Sequence, residues 1–196
     1  MNFLIIYSNH HKGNFNWQLL ESLRQNLAEE GHTIEVRDLY KMDFDPVLRT
    51  QDFEQISSGS PPEDIVREQK YVRESDVLVF IYPVWWGGMP AVVKGYIDKV
   101  FSWGFAYMSN SNGVYPLLTG KKAFVLSTLG QSREEYEKGM FQAMSKVNEE
   151  GVFGFCGIQV LEQLYFPSIH QVDNQQKEDY IEQAVFTLKS MAAIPK

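Results

Sequence analysis

Short apolar runs and amphipathic stretches alternate along this chain. Asn2 to Ser8 is an apolar run ending in polar residues, and Asn16 to Glu30 then carries Trp17, Leu20, Leu23 and Leu27 at helical spacing. Gly31 closes that helix, and Thr33 to Asp38 alternates as a second strand. Glu63 to Ser75 predicts a charged helix leading into Val77 to Tyr82, whose unbroken apolar run reads as a buried strand. The pattern continues with a helix over Ala91 to Trp103, a strand over Lys122 to Ser127 and a helix over Glu134 to Glu149. Ile158 to Leu164 is the fifth strand and Asp173 to Ala192 the closing helix. Strands alternating with helices imply an α/β fold with a mostly parallel sheet covered on both faces. Right-handed crossovers leave a doubly wound sheet of order 2-1-3-4-5 as the economical solution.

Two long connections, Leu39 to Pro62 and Gly104 to Gly120, are rich in Gly, Pro, Ser, Asn and Asp. Loops of this length in one domain are usually functional or mobile, and one domain is expected over residues 1–196. The 18 basic residues face 25 acidic ones, a net charge of -7. Such a surface repels phosphate backbones, which argues against nucleic acid as a partner but leaves room for a local basic pocket. Cys156 is the only cysteine, so no intrachain disulfide forms and a reducing cytoplasmic setting is expected. Its neighbours Phe155 and Gly157 favour a packing role over a reactive thiol. Met1 to Tyr7 is too short to span a bilayer and lacks the charged region of a signal peptide.

Loops after the first, third and fourth strands open on one edge of a parallel sheet, where such folds bind ligands. The first, Asn9 to Asn16, is polar and leads into a helix, so its amides offer an anion site. It lacks both the GxxxxGK[ST] and the GxGxxG patterns. His10 and His11 read as solvated loop residues rather than metal ligands, since no cysteine or third histidine stands at ligand spacing. Asn16 either caps the helix, contacts a phosphate, or does both. The second loop, Pro83 to Pro90, concentrates Trp85, Trp86, Gly87 and Gly88. One tryptophan ring is expected to pack while the other borders a ligand, beside glycines that leave room for it. The third loop, Ser127 to Ser132, adds hydroxyls and unhindered backbone donors, with Tyr136 shortly beyond as either a packing or a functional residue. Aromatic walls, backbone donors and an anion site suit a planar heterocycle carrying a phosphate, and flavin fits better than a plain nucleotide.

These residues resemble the flavodoxin-like NAD(P)H:quinone oxidoreductases of the DT-diaphorase type, in particular their shorter bacterial relatives. The likeness runs through Asp38-Leu39-Tyr40 with Phe44 and Pro46, Asp64 to Lys70, Pro83 to Tyr107, Ser127 to Tyr136 and Phe155 to Leu161. It implies a flavodoxin-like fold and a ping-pong enzyme that takes hydride from NAD(P)H onto bound flavin and passes it to a quinone. By position, Phe15 and Asn16 would meet the phosphate end and Gln69 the outer part of the cofactor. Pro83, Val84, Trp85, Trp86 and Gly87 would line one edge of the isoalloxazine, with Trp86 at the family's tryptophan position. Thr128, Leu129, Gly130 and Gln131 would hold the pyrimidine side, and Tyr136 would disperse charge on the reduced ring.

The chain departs from the family in places. Asn9, beside His10, stands where the family has a histidine, Asn14 replaces a serine, and Gln142 replaces a histidine six residues after Tyr136. By the resemblance to the shorter type, the carboxy-terminal extension of the longer enzymes is expected to be absent. The resemblance implies FAD, with FMN as the alternative, and a cytoplasmic homodimer whose active site spans the interface. Trp103 to Tyr107 is expected at that interface or at the pocket wall. Some relatives are ancillary subunits of glutathione-gated potassium efflux systems, so docking to such a transporter is the alternative role.

Overall fold

Parallel hydrogen bonding joins the apolar runs into one sheet. The computed structural model describes residues 1–11 and 13–192; Lys12, in the first loop, and residues 193–196 lie outside the described residues. Strands β1 (Asn2–Tyr7), β2 (Thr33–Asp38) and β3 (Val77–Pro83) are joined by β6 (Lys122–Thr128) and β7 (Gln159–Phe166) in the order β2-β1-β3-β6-β7. That is the predicted 2-1-3-4-5 order. Phe3 pairs with Val77 and Val77 with Lys122, so β1, β3 and β6 end on the same edge.

Alternate residues of each central strand serve opposite layers. Leu4, Ile6, Phe80 and Val125 pack with Tyr96 of α4 (Ala91–Val100) and Val72 of α3 (Glu63–Glu74). Phe3, Ile5, Val79 and Leu126 pack with Leu19 and Leu23 of α1 (Phe15–Glu29) and Leu188 of α7 (Asn174–Ala192). Central strands therefore read as continuous apolar runs. No described helix is long and apolar enough to cross a membrane.

Both long connections contain structure that was not expected. Residues 39–62 include α2 (Thr50–Ser57), anchored where the buried Lys99 ammonium lies 3.5 Å from Asp52 and 3.7 Å from Asp64. A Cβ on Gly95 of α4 would stand 2.2 Å from the Pro46 carbonyl oxygen, so glycine is what allows this connection to lie on the helix. Residues 104–120 include a hairpin, β4 (Tyr107–Asn110) with β5 (Gly113–Pro116), apart from the main sheet.

The helix expected over Glu134 to Glu149 is broken. It divides into α5 (Arg133–Glu137) and α6 (Met140–Lys146), with Gly139 between them at φ 126°, a backbone state a helix cannot contain. A π-helical turn, Val147–Phe153, and a 3₁₀ turn, Gly154–Cys156, continue the chain to Gly157. The helix over Ala91 to Trp103 likewise ends early, at Val100.

Cys156 is buried in the core beside Phe153, and burial pushes its thiol up to about 11. At neutral pH its thiolate fraction is then on the order of one in ten thousand. Iodoacetamide should therefore label the unfolded chain readily and the native protein hardly at all; fast native labelling, read by mass spectrometry, would contradict the packing role.

Candidate functional site

At the carboxyl edge of the sheet the loops after β1, β3 and β6 enclose a cleft of about 570 Å³. Asn14, not Asn16, caps α1: its Oδ1 accepts the Trp17 N–H at 2.9 Å. The expectation that Asn16 caps the helix is thereby corrected, because the chain turns helical one residue sooner and Asn16 falls inside the first turn. Asn16 is nearly fully buried and lines the cleft, and among the described residues its Nδ2 has no hydrogen-bond partner. A buried amide donor without a partner costs free energy unless a ligand supplies the acceptor. The amides of Phe15 and Asn16 precede the first intrahelical bond, from Gln18 N–H to Asn14 C=O, so they too are available.

Asn9 and His10 form the outer part of the first loop. Asn9 Oδ1 accepts the His11 N–H at 3.1 Å. The His10 ring stands between His11, Tyr40 and Trp85, with centroid separations of 4.2, 6.0 and 6.2 Å. Among the described residues no group of three His, Cys, Asp or Glu side chains could hold a metal ion.

The loop after β3 makes a tight reversal in which Trp85 and Gly88 exchange backbone hydrogen bonds of 3.0 and 3.1 Å. Trp86 and Gly87 lie between them at φ 51° and 73°. Two consecutive left-handed residues mark a type I′ turn, which glycine tolerates and tryptophan resists. Pro83, Val84 and Trp85 line the cleft. The Trp86 ring does not: it is fully exposed. Within one protomer Trp85 is therefore the ring that borders the cleft, and Trp86, expected there by position, is directed to solvent by the turn.

The third loop is tied to its neighbours by backbone bonds, Val84 N–H to Thr128 O at 2.8 Å and Leu129 N–H to Phe166 O at 2.9 Å. Thr128, Leu129 and Gly130 line the cleft. Gln131 does not; its carbonyl accepts from Ser168 N–H at 2.9 Å and holds the loop after β7 in place. That fourth loop brings in His170, and α7 brings Lys177. Neither was expected from sequence, although a loop after a parallel strand belongs to the same edge. The lining holds His10, His11, His170 and Lys177 and no acidic side chain among the described residues, a local reversal of the chain's net charge of -7.

Besides Trp86 and Gln131, three expected residues lie outside the cleft: Gly87, which borders a separate cavity beneath the turn, Gln69 and Tyr136. Gln69 is buried between α3 and α4, donating from Nε2 to Val100 O at 3.1 Å and Ser102 Oγ at 3.0 Å. Tyr136 is half-buried outside the cleft, its ring 5.4 Å from that of Phe141. Burial, then the Glu135 carboxylate, raises its phenol, so it keeps its proton at neutral pH.

A family model described as "Flavodoxin-like fold" matches residues 1–190. The chain is 33% identical over 186 residues to an uncharacterized NAD(P)H oxidoreductase of Haemophilus influenzae, covering 94% of this chain and 92% of that one. It is 34% identical over 182 residues to NAD(P)H dehydrogenase [quinone] 1 of Cavia porcellus, covering 81% of this chain and 66% of the relative. The solved structure of an NAD(P)H:quinone oxidoreductase from Methanothermobacter marburgensis superposes with a TM-score of 0.86 at 29% identity. That match covers 97% of this chain and 98% of the other.

Proposed function

The chain belongs to this family of flavodoxin-like fold, and on that premise we propose that it is a flavin-dependent NAD(P)H:quinone oxidoreductase. The observation that carries the cofactor assignment is the buried Asn16 Nδ2 at the start of α1, without a partner among the described residues and inside a cleft whose described lining holds no acidic side chain. The names of the relatives support the reaction class. FAD is the flavin the resemblance implies, with FMN as the alternative.

Flavin, when bound, would supply the two-electron hydride chemistry between NAD(P)H and a quinone that the resemblance implies as a ping-pong cycle. The protein's part is positioning and electrostatics. Asn16 Nδ2 and the first amides of α1 would hold phosphate oxygens as donors, and Lys177 and His170 would add a positive and a donor group there. Trp85 would offer a flat apolar wall, and the Thr128–Gly130 backbone, with the Leu129 side chain turned into the core, would leave room for a ring edge. The resemblance gives Tyr136, protonated at neutral pH and outside the cleft as lined here, the role of donor to an oxygen that would gain charge during reduction. Gln142, in place of a titratable histidine, donates or accepts but cannot relay a proton.

A homodimer is part of the proposal. Trp86, Trp103, Tyr115 and Phe155 are each exposed, and aromatic rings of this kind are enriched where a second copy covers them. Tyr136→Phe should leave flavin content near normal and slow flavin reduction roughly ten- to hundredfold, less than the loss of a fully buried oxyanion donor. Unchanged stopped-flow reduction kinetics would remove Tyr136 from the reaction.

A further inference from the structure

The loop after β3 has a second cavity beneath it, of about 300 Å³. Val84 lines both this cavity and the cleft, so the two are neighbours. Val147, Asn148 and Val152 of the π-helical turn form one wall. In an α-helix Val147 and Val152, five residues apart, would point roughly 140° away from each other. The wider π turn brings both onto the cavity, and such turns are rare and concentrate at functional sites.

The polar end of the cavity is held in one orientation. Gln163 donates from Nε2 to Glu149 Oε1 at 2.9 Å and to Ser145 O at 3.2 Å, which turns its Oε1 toward Asn148. Asn148 Nδ2 then donates to Gln163 Oε1 at 2.8 Å and to the Tyr82 hydroxyl at 3.5 Å. Tyr165, whose hydroxyl donates to the same Gln163 oxygen at 3.2 Å, also borders the cavity. Both recorded bonds of Asn148 run from its nitrogen, leaving Oδ1 as an acceptor. Lys94, at the rim, is paired with Asp98 at 2.5 Å, so it offers no free charge to an anion.

Apolar walls with one oriented acceptor select a neutral ring that carries a hydrogen-bond donor. An apolar cavity of about 150 Å³ admits benzene, so twice that volume suits two fused rings. We propose that this cavity is a second small-molecule site, distinct from the cofactor cleft, for a neutral bicyclic phenol whose hydroxyl donates to Asn148 Oδ1. The assignment stands on the cavity alone and is independent of the reaction in the neighbouring cleft.

Calorimetric titration of the purified full chain with 2-naphthol tests it. One molecule should bind per chain, and 2-methoxynaphthalene, which lacks the donor, should bind about tenfold more weakly, the worth of one hydrogen bond. Ala143 lines the cavity yet is exposed, so Ala143→Phe should close the mouth and weaken binding more than tenfold while the circular dichroism spectrum stays unchanged. Absence of binding, equal affinity for the methyl ether, or unchanged binding in a folded Ala143→Phe protein would each overturn the proposal. The ether comparison needs only the unaltered protein, so it decides the matter even if the variant fails to fold.

Discussion

Glu68→Ala is expected to lower the stability of the fold by about 3–5 kcal/mol, the cost of removing one partner from a buried ion pair. Glu68 sits on α3, 1% exposed, facing Arg37 of edge strand β2. The guanidinium donates from Nε to Oε2 at 2.8 Å and from Nη2 to Oε1 at 2.5 Å, a two-point contact that holds the strand to the helix. Tyr96 approaches the same carboxylate at 3.4 Å, and Arg37 lies 4.4 Å above the Tyr71 ring. Truncation leaves the guanidinium half-buried with only Glu35, at 3.1 Å, as a carboxylate partner. The melting temperature should fall by roughly 6–20 °C for a domain of this size. Replacing both residues, Arg37→Met with Glu68→Leu, should recover most of the loss, because no charge is then stranded. A single-variant loss under about 1 kcal/mol in urea denaturation would show that the pair contributes little.

Asn16→Leu is expected to separate stability from cofactor binding. Its Nδ2 has no partner among the described residues, so an apolar side chain of similar size should leave the flavin-free protein as stable or slightly more stable. Flavin affinity should drop by about 1.5–3 kcal/mol, the worth of a hydrogen bond to a charged group, or roughly ten- to hundredfold. Fluorescence titration of flavin-free protein measures the second effect and thermal denaturation the first. An unfolded variant would assign Asn16 to the core instead, and unaltered affinity would remove it from the phosphate site.

How much of this was legible in the sequence depended on burial. Strands β1 and β3 are buried on both faces, so Phe3 to Tyr7 and Val77 to Tyr82 appear as continuous apolar runs. Helix α2 was hidden because only Phe53 and Ile56 are large and apolar within it, and its anchor is the Asp52–Lys99 contact between distant positions. The hairpin was hidden because Gly113 to Pro116 is wholly exposed and shows no alternation. The π turn has no side-chain signature, since its extra residue is a matter of backbone register.

For the site, the rule that ligands gather at the carboxyl edge located three of the loops that line the cleft. It could not orient the tryptophans, because the hand of the Trp85–Gly88 turn decides which ring faces the cleft. His170 was missed because the fourth loop carries no motif and only its position after β7 marks it, and Lys177 because it reads as one more charged residue in the first turn of α7.

The most direct test of the central claim is anaerobic stopped-flow mixing of the flavin-reconstituted protein with NADH or NADPH, followed by a simple quinone. The proposed function predicts that the yellow flavin absorbance bleaches rapidly with at least one nicotinamide and returns when the quinone is added. A protein that cannot retain FAD or FMN, or whose bound flavin stays oxidised in both nicotinamides, would contradict it.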